Sequence, residues 1–199
     1  CELTPRKDIE NRIRHLQAEM ARQGISFSII LHNVGLFYFT GSIQRGVLFI
    51  PVDGEPVYMV EKNMERASVE TPLKMTPIRN NRDAREILHD KLNKRNICGM
   101  ELDVLPVLVF EKWKTLLGMD NIVDVSPTVR QLRMVKSAFE IDQIRHSGRI
   151  VSQVFAKAGE IVRANAKEVD IAAVLEAEGR MLGHQGFLRM RGLNQEMLN

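Results

Sequence analysis

A chain of 199 residues with 44% hydrophobic and 27% charged content can bury a real core and has the balance of a soluble globular protein of one or two domains. Its 28 basic and 25 acidic residues leave a formal charge of +3, but they are well mixed, with no basic run of five and no interleaved aromatics, which argues against nucleic acid as a partner. No stretch approaches the roughly 18 apolar residues of a membrane helix, no signal peptide opens the chain, and Cys1 and Cys98 form neither a disulfide framework nor a C-x-x-C metal spacing, so a reducing cytoplasm is the expected location.

Cys1 in place of Met implies that the chain does not begin at its gene's start. Thr4-Pro5 reads as an N-cap followed by proline at the first helical position, and Ile9, Ile13, Leu16 and Met20 then line one helical face as far as Gly24. Phe27, Ile29 and Leu31 alternate as a strand, and HNVGLFYFTGS reads as an aromatic-rich turn segment. Residues 47–50 and 57–60 are expected to be strands joined through Asp53-Gly54, a strong hairpin signal. A short helix at 61–70, a strand at 73–79, a helix from Ala84 to about Arg95 and a strand at 96–102 follow. Then come a helix from Pro106 to Gly118, carrying Phe110, Trp113 and Leu117, and a last short strand at 121–126. Strands alternating with helices predict an α/β domain over residues 1–133, with a mixed sheet flanked by helices.

Val129, Leu132, Met134 and Val135 form an apolar run ahead of Ser137 and Glu140, whose S-x-x-E spacing is a capping box. It opens a helix expected over about 138–162, and Asn165-x-x-Glu168 repeats that chemistry for a second helix to about 183. FLRMRG then alternates like the start of a strand. About 66 residues with two apolar helix faces are marginal as an independent core. Residues 134–199 are therefore expected to pack against a partner chain or against residues 1–133, or to be partly mobile.

Two motifs carry a resemblance. The string L-R-M-V-K-S-A-F-E-I-D-Q-I-R resembles the junction of the creatinase/prolidase family, the pita-bread metallopeptidases. The segment N-V-G-L-F-Y-F-T-G at 33–41 is similar to that family's aromatic-T-G motif, about ninety residues upstream of the junction. The resemblance implies a creatinase-like N-terminal α/β domain at 1–133, followed by an incomplete α+β pita-bread domain at 134–199 comprising two helices and the first strand. It implies that the complete protein is a homodimer that cleaves Xaa-Pro bonds of short proline-containing peptides, like an Xaa-Pro dipeptidase or aminopeptidase P, using a divalent metal (Mn, Co or Zn). The family's Asp, Asp, His, Glu, Glu ligands would fall beyond Asn199, so this chain is expected to bind no metal, to supply no catalytic residue and to be inactive alone. A creatinase-like metal-free hydrolase and a non-catalytic binding or dimerisation module are the alternatives.

In dimers of that family, loops of the N-terminal domain approach the partner's active site, so Arg45 is a candidate to clamp a substrate carboxylate in trans; an exposed loop arginine is the plainer alternative. Tyr38 is a second candidate, against a half-buried tyrosine with a satisfied hydroxyl. Arg189 and Arg191, with Asn194 and Glu196, either wall a pocket for an anionic group or lie on a solvated strand. His184 reads as a turn residue or a pocket histidine. Glu101 and Asp103, two apart at a strand end, read as solvated carboxylates, with a cation pair as the alternative; Cys98 reads as an inert buried thiol and Trp113 as core.

Overall fold

A computed structural model describes residues 2–185 in full and the backbone of residues 187–188 and 197–198. The chain divides into two compact units, Cys1–Val135 and Lys136–Asn199.

The first unit is built on a mixed six-stranded sheet. Its strands are β1 (Phe27–Ile30), β2 (Gly46–Pro51), β3 (Val57–Val60), β4 (Met75–Pro77), β5 (Cys98–Met100) and β6 (Ile122–Asp124), in the spatial order β4-β3-β2-β1-β5-β6. The β1–β2 and β2–β3 pairs are antiparallel, and β3–β4, β1–β5 and β5–β6 are parallel. The Asp53-Gly54 signal is thus the β2–β3 hairpin, with Gly54 at φ 98°. Gln17 ties that turn to the first helix, donating from Nε2 to the carbonyls of Pro51 (3.0 Å) and Gly54 (2.9 Å).

Helices cover both faces of the sheet: α1 (Arg6–Gln23), α2 (Asn33–Thr40), α3 (Met64–Glu70), α4 (Asn81–Ile87), α5 (Val107–Leu117) and α6 (Ser126–Met134). Along β2 the side chains alternate between two cores. Leu48 and Ile50 join Ile9, Ile13, Leu16 and Met20 of α1, while Val47 and Phe49 join Trp113 and Leu117 of α5. Trp113 is therefore core, as expected. Each such side chain stabilises the fold by roughly 1.5–3 kcal/mol relative to exposure.

Several sequence expectations are corrected. Strand β1 is buried at all four positions, so Ile30 faces a core just as Ile29 does, and the simple in–out alternation fails because helices cover both faces. Residues 33–40 form a helix, not a turn segment: Gly35 is tolerated there because the burial of Leu36, Tyr38 and Phe39 outweighs its low propensity. The run at 126–134 is also a helix, begun by Pro127 in its first turn and by Asp124, whose Oδ1 accepts the Ser126 N–H at 2.9 Å. Pro5, not Thr4, occupies the N-cap of α1, and no side chain caps that end. The helix expected at 84–95 is shorter and earlier, with a 3-10 turn at His89–Lys91 after it.

In the second unit, α7 (Ala138–Ile161) begins at the expected capping box. Ser137 Oγ accepts the Glu140 N–H at 3.2 Å, and Glu140 Oε2 accepts the Ser137 N–H at 2.9 Å. Helix α8 (Glu168–Met181) starts differently from expectation: Asn165 sits in the connector at φ 67°, and Lys167 is the N-cap without a side-chain bond. Asn165 thus stands two positions ahead of the N-cap, in the left-handed region that asparagine tolerates. The two helices pack on each other, and the segments β7 (Phe187–Leu188) and β8 (Met197–Leu198) pair antiparallel. Neither α7 nor α8 has a buried residue. Among the described residues no helix is long and apolar enough to cross a membrane.

Candidate functional site

The aromatic-T-G segment ends α2 and launches the loop that carries Arg45. Gly41 closes the helix at φ 78°, its N–H donating to the Phe37 carbonyl at 2.8 Å. A Cβ there would sit 3.0 Å from the Glu70 carbonyl oxygen and 3.1 Å from Ile9 Cδ1, so both conformation and space require glycine. Thr40 is fully buried, with Oγ1 2.7 Å from the Leu36 carbonyl and accepting the Ser42 N–H at 3.0 Å. The threonine thereby links the helix end to the first loop residue.

The loop then alternates inward and outward. Ser42 and Gln44 are buried, whereas Ile43 and Arg45 are exposed. Glu70, at the end of α3, receives both inward side chains on one oxygen: Ser42 Oγ donates to Oε2 at 2.6 Å and Gln44 Nε2 at 3.1 Å. Arg66 Nε donates to its other oxygen at 2.7 Å. Asn63 Nδ2 donates to Gln44 Oε1 at 3.0 Å, and the buried Tyr58 hydroxyl donates to the Gln44 carbonyl. Burial pushes the Glu70 carboxyl up, but the hydrogen bonds from Ser42, Arg66 and Gln44 and the Arg66 charge outweigh it and hold the group below its ordinary value. The Tyr58 hydroxyl is raised, chiefly by burial and further by the Glu70 charge, with Ser42 opposing.

Arg45 projects from this anchored loop. Its side chain is 69% exposed, and Nε lies 2.8 Å from Oε2 of Glu61, whose side chain is 17% exposed. The backbones pair as well, with the Glu61 N–H donating to the Arg45 carbonyl at 2.7 Å. Gly46 follows immediately, where a Cβ would come within 2.2 Å of the Met59 carbonyl. No sequence signal marks Ser42, Gln44, Glu61 or Glu70 as one unit, because the contacts to Glu70 span 26 and 28 residues.

Tyr38 lies at the other end of this segment's chemistry. It is buried, its hydroxyl donating to the Leu132 carbonyl at 3.2 Å. The Arg12 guanidinium stacks 4.4 Å from its ring centroid and donates from Nη1 to the Tyr38 carbonyl at 2.8 Å. Tyr38 thus joins α1, α2 and α6. Arg189, Arg191, Asn194 and Glu196 lie outside the described residues.

Other candidates are placed as follows. His184 is exposed beyond α8 and lines a groove between α7 and α8, with Phe155, Leu175 and Arg180. Asp103 is exposed and ion-paired with Arg130. Glu101 is not solvated: it is 1% exposed, and a Cβ on Gly35 would come within 2.4 Å of its Oε2. The strand end carries it beneath the first turn of α2, where the positive end of the helix favours a carboxylate. Cys98 is the buried thiol expected, its pKa pushed up to about 12 by burial. Among the described residues no group of three or more His, Cys, Asp or Glu side chains could hold a metal ion. The described residues do not fit a two-metal carboxylate centre.

Comparison with known proteins matches this architecture. Residues 12–135 match the Creatinase/Prolidase N-terminal domain family. The chain is 27% identical over 195 residues to an uncharacterized hydrolase/peptidase of Sinorhizobium fredii, covering 87% of this chain and 50% of that protein. It is 24% identical over 177 residues to the Xaa-Pro dipeptidase of Pyrococcus furiosus, covering 88% and 49%. The chain thus spans about half the length of the curated relatives it matches. Among solved structures, the prolidase from Pyrococcus horikoshii superposes with a TM-score of 0.77 at 19% identity, over 94% of this chain and 57% of that one, which is a likeness of fold. On the match over residues 12–135, the chain belongs to the creatinase/prolidase N-terminal domain family and is related to its peptidases.

Proposed function

We propose that this chain is the N-terminal part of a metal-dependent peptidase that hydrolyses Xaa-Pro bonds of short peptides, and that the Arg45 loop is its contribution to substrate recognition. The observation carrying this reading is the match to an Xaa-Pro dipeptidase over 88% of the chain, which runs from the first unit into the second. Conservation of fold alone would not select the reaction. The anchored loop supports the reading from a second side: buried Ser42 and Gln44 fix the backbone that presents an exposed guanidinium, a group suited to a carboxylate.

In this reading the complete protein works as a cytoplasmic homodimer, with Arg45 of one protomer meeting the substrate carboxylate in the other protomer's site. Mn²⁺, Co²⁺ or Zn²⁺ would supply the activated water there, held by ligands that the described residues do not provide. Tyr38 acts by fixing α2, through its contacts to Arg12 and Leu132, and so sets where the loop begins. Arg189 and Arg191 are proposed, apart from Arg45, as contacts to an anionic group of the substrate.

The test is hydrolysis of Ala-Pro by the full gene product, dialysed against chelator and then supplied with Mn²⁺, Co²⁺ or Zn²⁺. Metal-restored turnover is expected, with none from the 199-residue chain alone. Metal-independent hydrolysis of an amidino compound would instead select the creatinase-like alternative. Failure on every substrate with dimerisation intact would select the binding module.

A further inference from the structure

Glu70 stands where its own helix does not favour it. It is the last residue of α3, and the negative end of a helix opposes a carboxylate. Its side chain is nevertheless drawn in, at 16% exposure, and its two oxygens serve two different neighbours. Oε1 accepts from the exposed Arg66, one turn earlier on the same helix, while Oε2 accepts from Ser42 and Gln44 of the loop after α2. The backbone meets that loop as well. The Glu70 carbonyl oxygen lies 3.0 Å from where a Cβ on Gly41 would stand, an approach that leaves no room for a side chain. Ser42 passes the contact on, since its Oγ donates to Glu70 and accepts the Gln44 N–H at 3.3 Å. One carboxylate thereby governs both side chains and a backbone amide in the segment just before Arg45.

We infer that Glu70 is a positioning residue, whose ionised carboxyl holds the loop of residues 42–45 on the end of α3, so that Arg45 meets the terminal carboxylate of a peptide ligand from a fixed backbone. This rests on the reading in which Arg45 is the carboxylate contact. Glu70 touches no substrate and acts only through the loop. The charge matters because hydrogen bonds to an ionised acceptor are roughly twice as strong as neutral ones. Without that acceptor the buried Ser42 and Gln44 side chains lose their shared partner, and the loop must rearrange to satisfy them.

Two measurements test the inference. The first is independent of catalysis: amide hydrogen exchange by NMR in the 199-residue chain, comparing wild type, Glu70→Gln and Glu70→Ala. The Gln44 N–H is expected to exchange about tenfold faster in E70A, the worth of one hydrogen bond, while the Leu48 N–H in β2 is unchanged. E70Q, which keeps an acceptor without the charge, should fall between. Equal exchange at Gln44 in wild type and E70A overturns the proposal. So does an equal acceleration at Gln44 and Leu48, which would mark a general loss of stability. The second measurement uses the full gene product on Ala-Pro and on its C-terminal amide. E70A is expected to raise KM for the free acid by about threefold to tenfold, with kcat unchanged and the amide unaffected. In an Arg45→Ala background it should raise KM no further. An equal rise on the amide, or a further rise without Arg45, would show that Glu70 does not act through Arg45 and would overturn the proposal. If wild type cleaves neither peptide, the dipeptidase reading fails, while the exchange measurement still decides whether Glu70 holds the loop.

Discussion

The two units of this chain use the same amino-acid types to different ends. In Cys1–Val135 the apolar faces of α1, α2, α5 and α6 lie against a sheet, and Leu16, Phe39 and Trp113 are buried. In Lys136–Asn199, helices of 24 and 14 residues carry similar faces, yet Ile144, Val151 and Phe155 remain more than half exposed. Helix formation and helix burial are therefore separate achievements. The first comes from local chemistry such as the Ser137–Glu140 capping box, and the second needs a surface to pack on.

The largest effect expected from this contrast is in side-chain deletion. Phe39→Ala should destabilise the first unit by about 3–5 kcal/mol, since it removes a fully buried ring. Phe155→Ala, at a side chain left 74% exposed, should change stability by less than about 0.5 kcal/mol. Urea denaturation of each variant checks this, and a large loss in Phe155→Ala would mean that α7 is buried in solution.

Glycines sharpen the comparison by changing sign between the units. Gly46→Ala should cost about 1–3 kcal/mol, because the new Cβ would meet the Met59 carbonyl at 2.2 Å. Gly148→Ala, inside α7 with nothing within 4 Å, should stabilise its helix by roughly 0.5–1 kcal/mol. Thermal melts by circular dichroism at 222 nm would read both.

A smaller loss is expected where local chemistry is the main support. Ser137→Ala removes the cap of α7 and should cost about 1 kcal/mol, seen as faster amide exchange in the first turns of Ala138–Ile161. Unchanged exchange there would show that the capping box is dispensable.

The smallest effect concerns pH and lies in the first unit. The Glu70 carboxyl is held below its ordinary value of 4.5, so its contribution is fully present above that value and is lost as pH falls through the lowered one. Between pH 5 and about pH 3 the wild type should therefore lose more stability than Glu70→Gln. Parallel loss in the two proteins would show that the Ser42, Gln44 and Arg66 contacts do not favour the charged form.

Much of this was legible in the chain. The helix at α1 announced itself by period, its stop by Gly24, the β2–β3 hairpin by Asp53-Gly54, and α7 by Ser137 and Glu140. The helices at 33–40 and 126–134 were not: the first contains a glycine and aromatic residues of modest propensity, and the second starts with Ser-Pro after a strand. Both are held by burial, which propensity does not register. The candidate site divided in the same way. Arg45 stood out as a loop arginine after Thr40-Gly41, but the residues that anchor its loop did not, since Glu61, Asn63 and Glu70 follow only after two more strands.

By itself the sequence determined the features written in neighbouring residues: helix starts and stops, the turn type, the apolar periods and the two family motifs. Such features depend on backbone hydrogen bonds and dihedral preferences within a few positions of each other. Only the tertiary structure decided that β1 is covered on both faces, that Glu101 is buried beneath α2, and that Ser42 and Gln44 converge on Glu70 while Arg45 turns outward to Glu61. Those outcomes depend on which surfaces meet across the sheet, where the energy of burial is large enough to override any local preference.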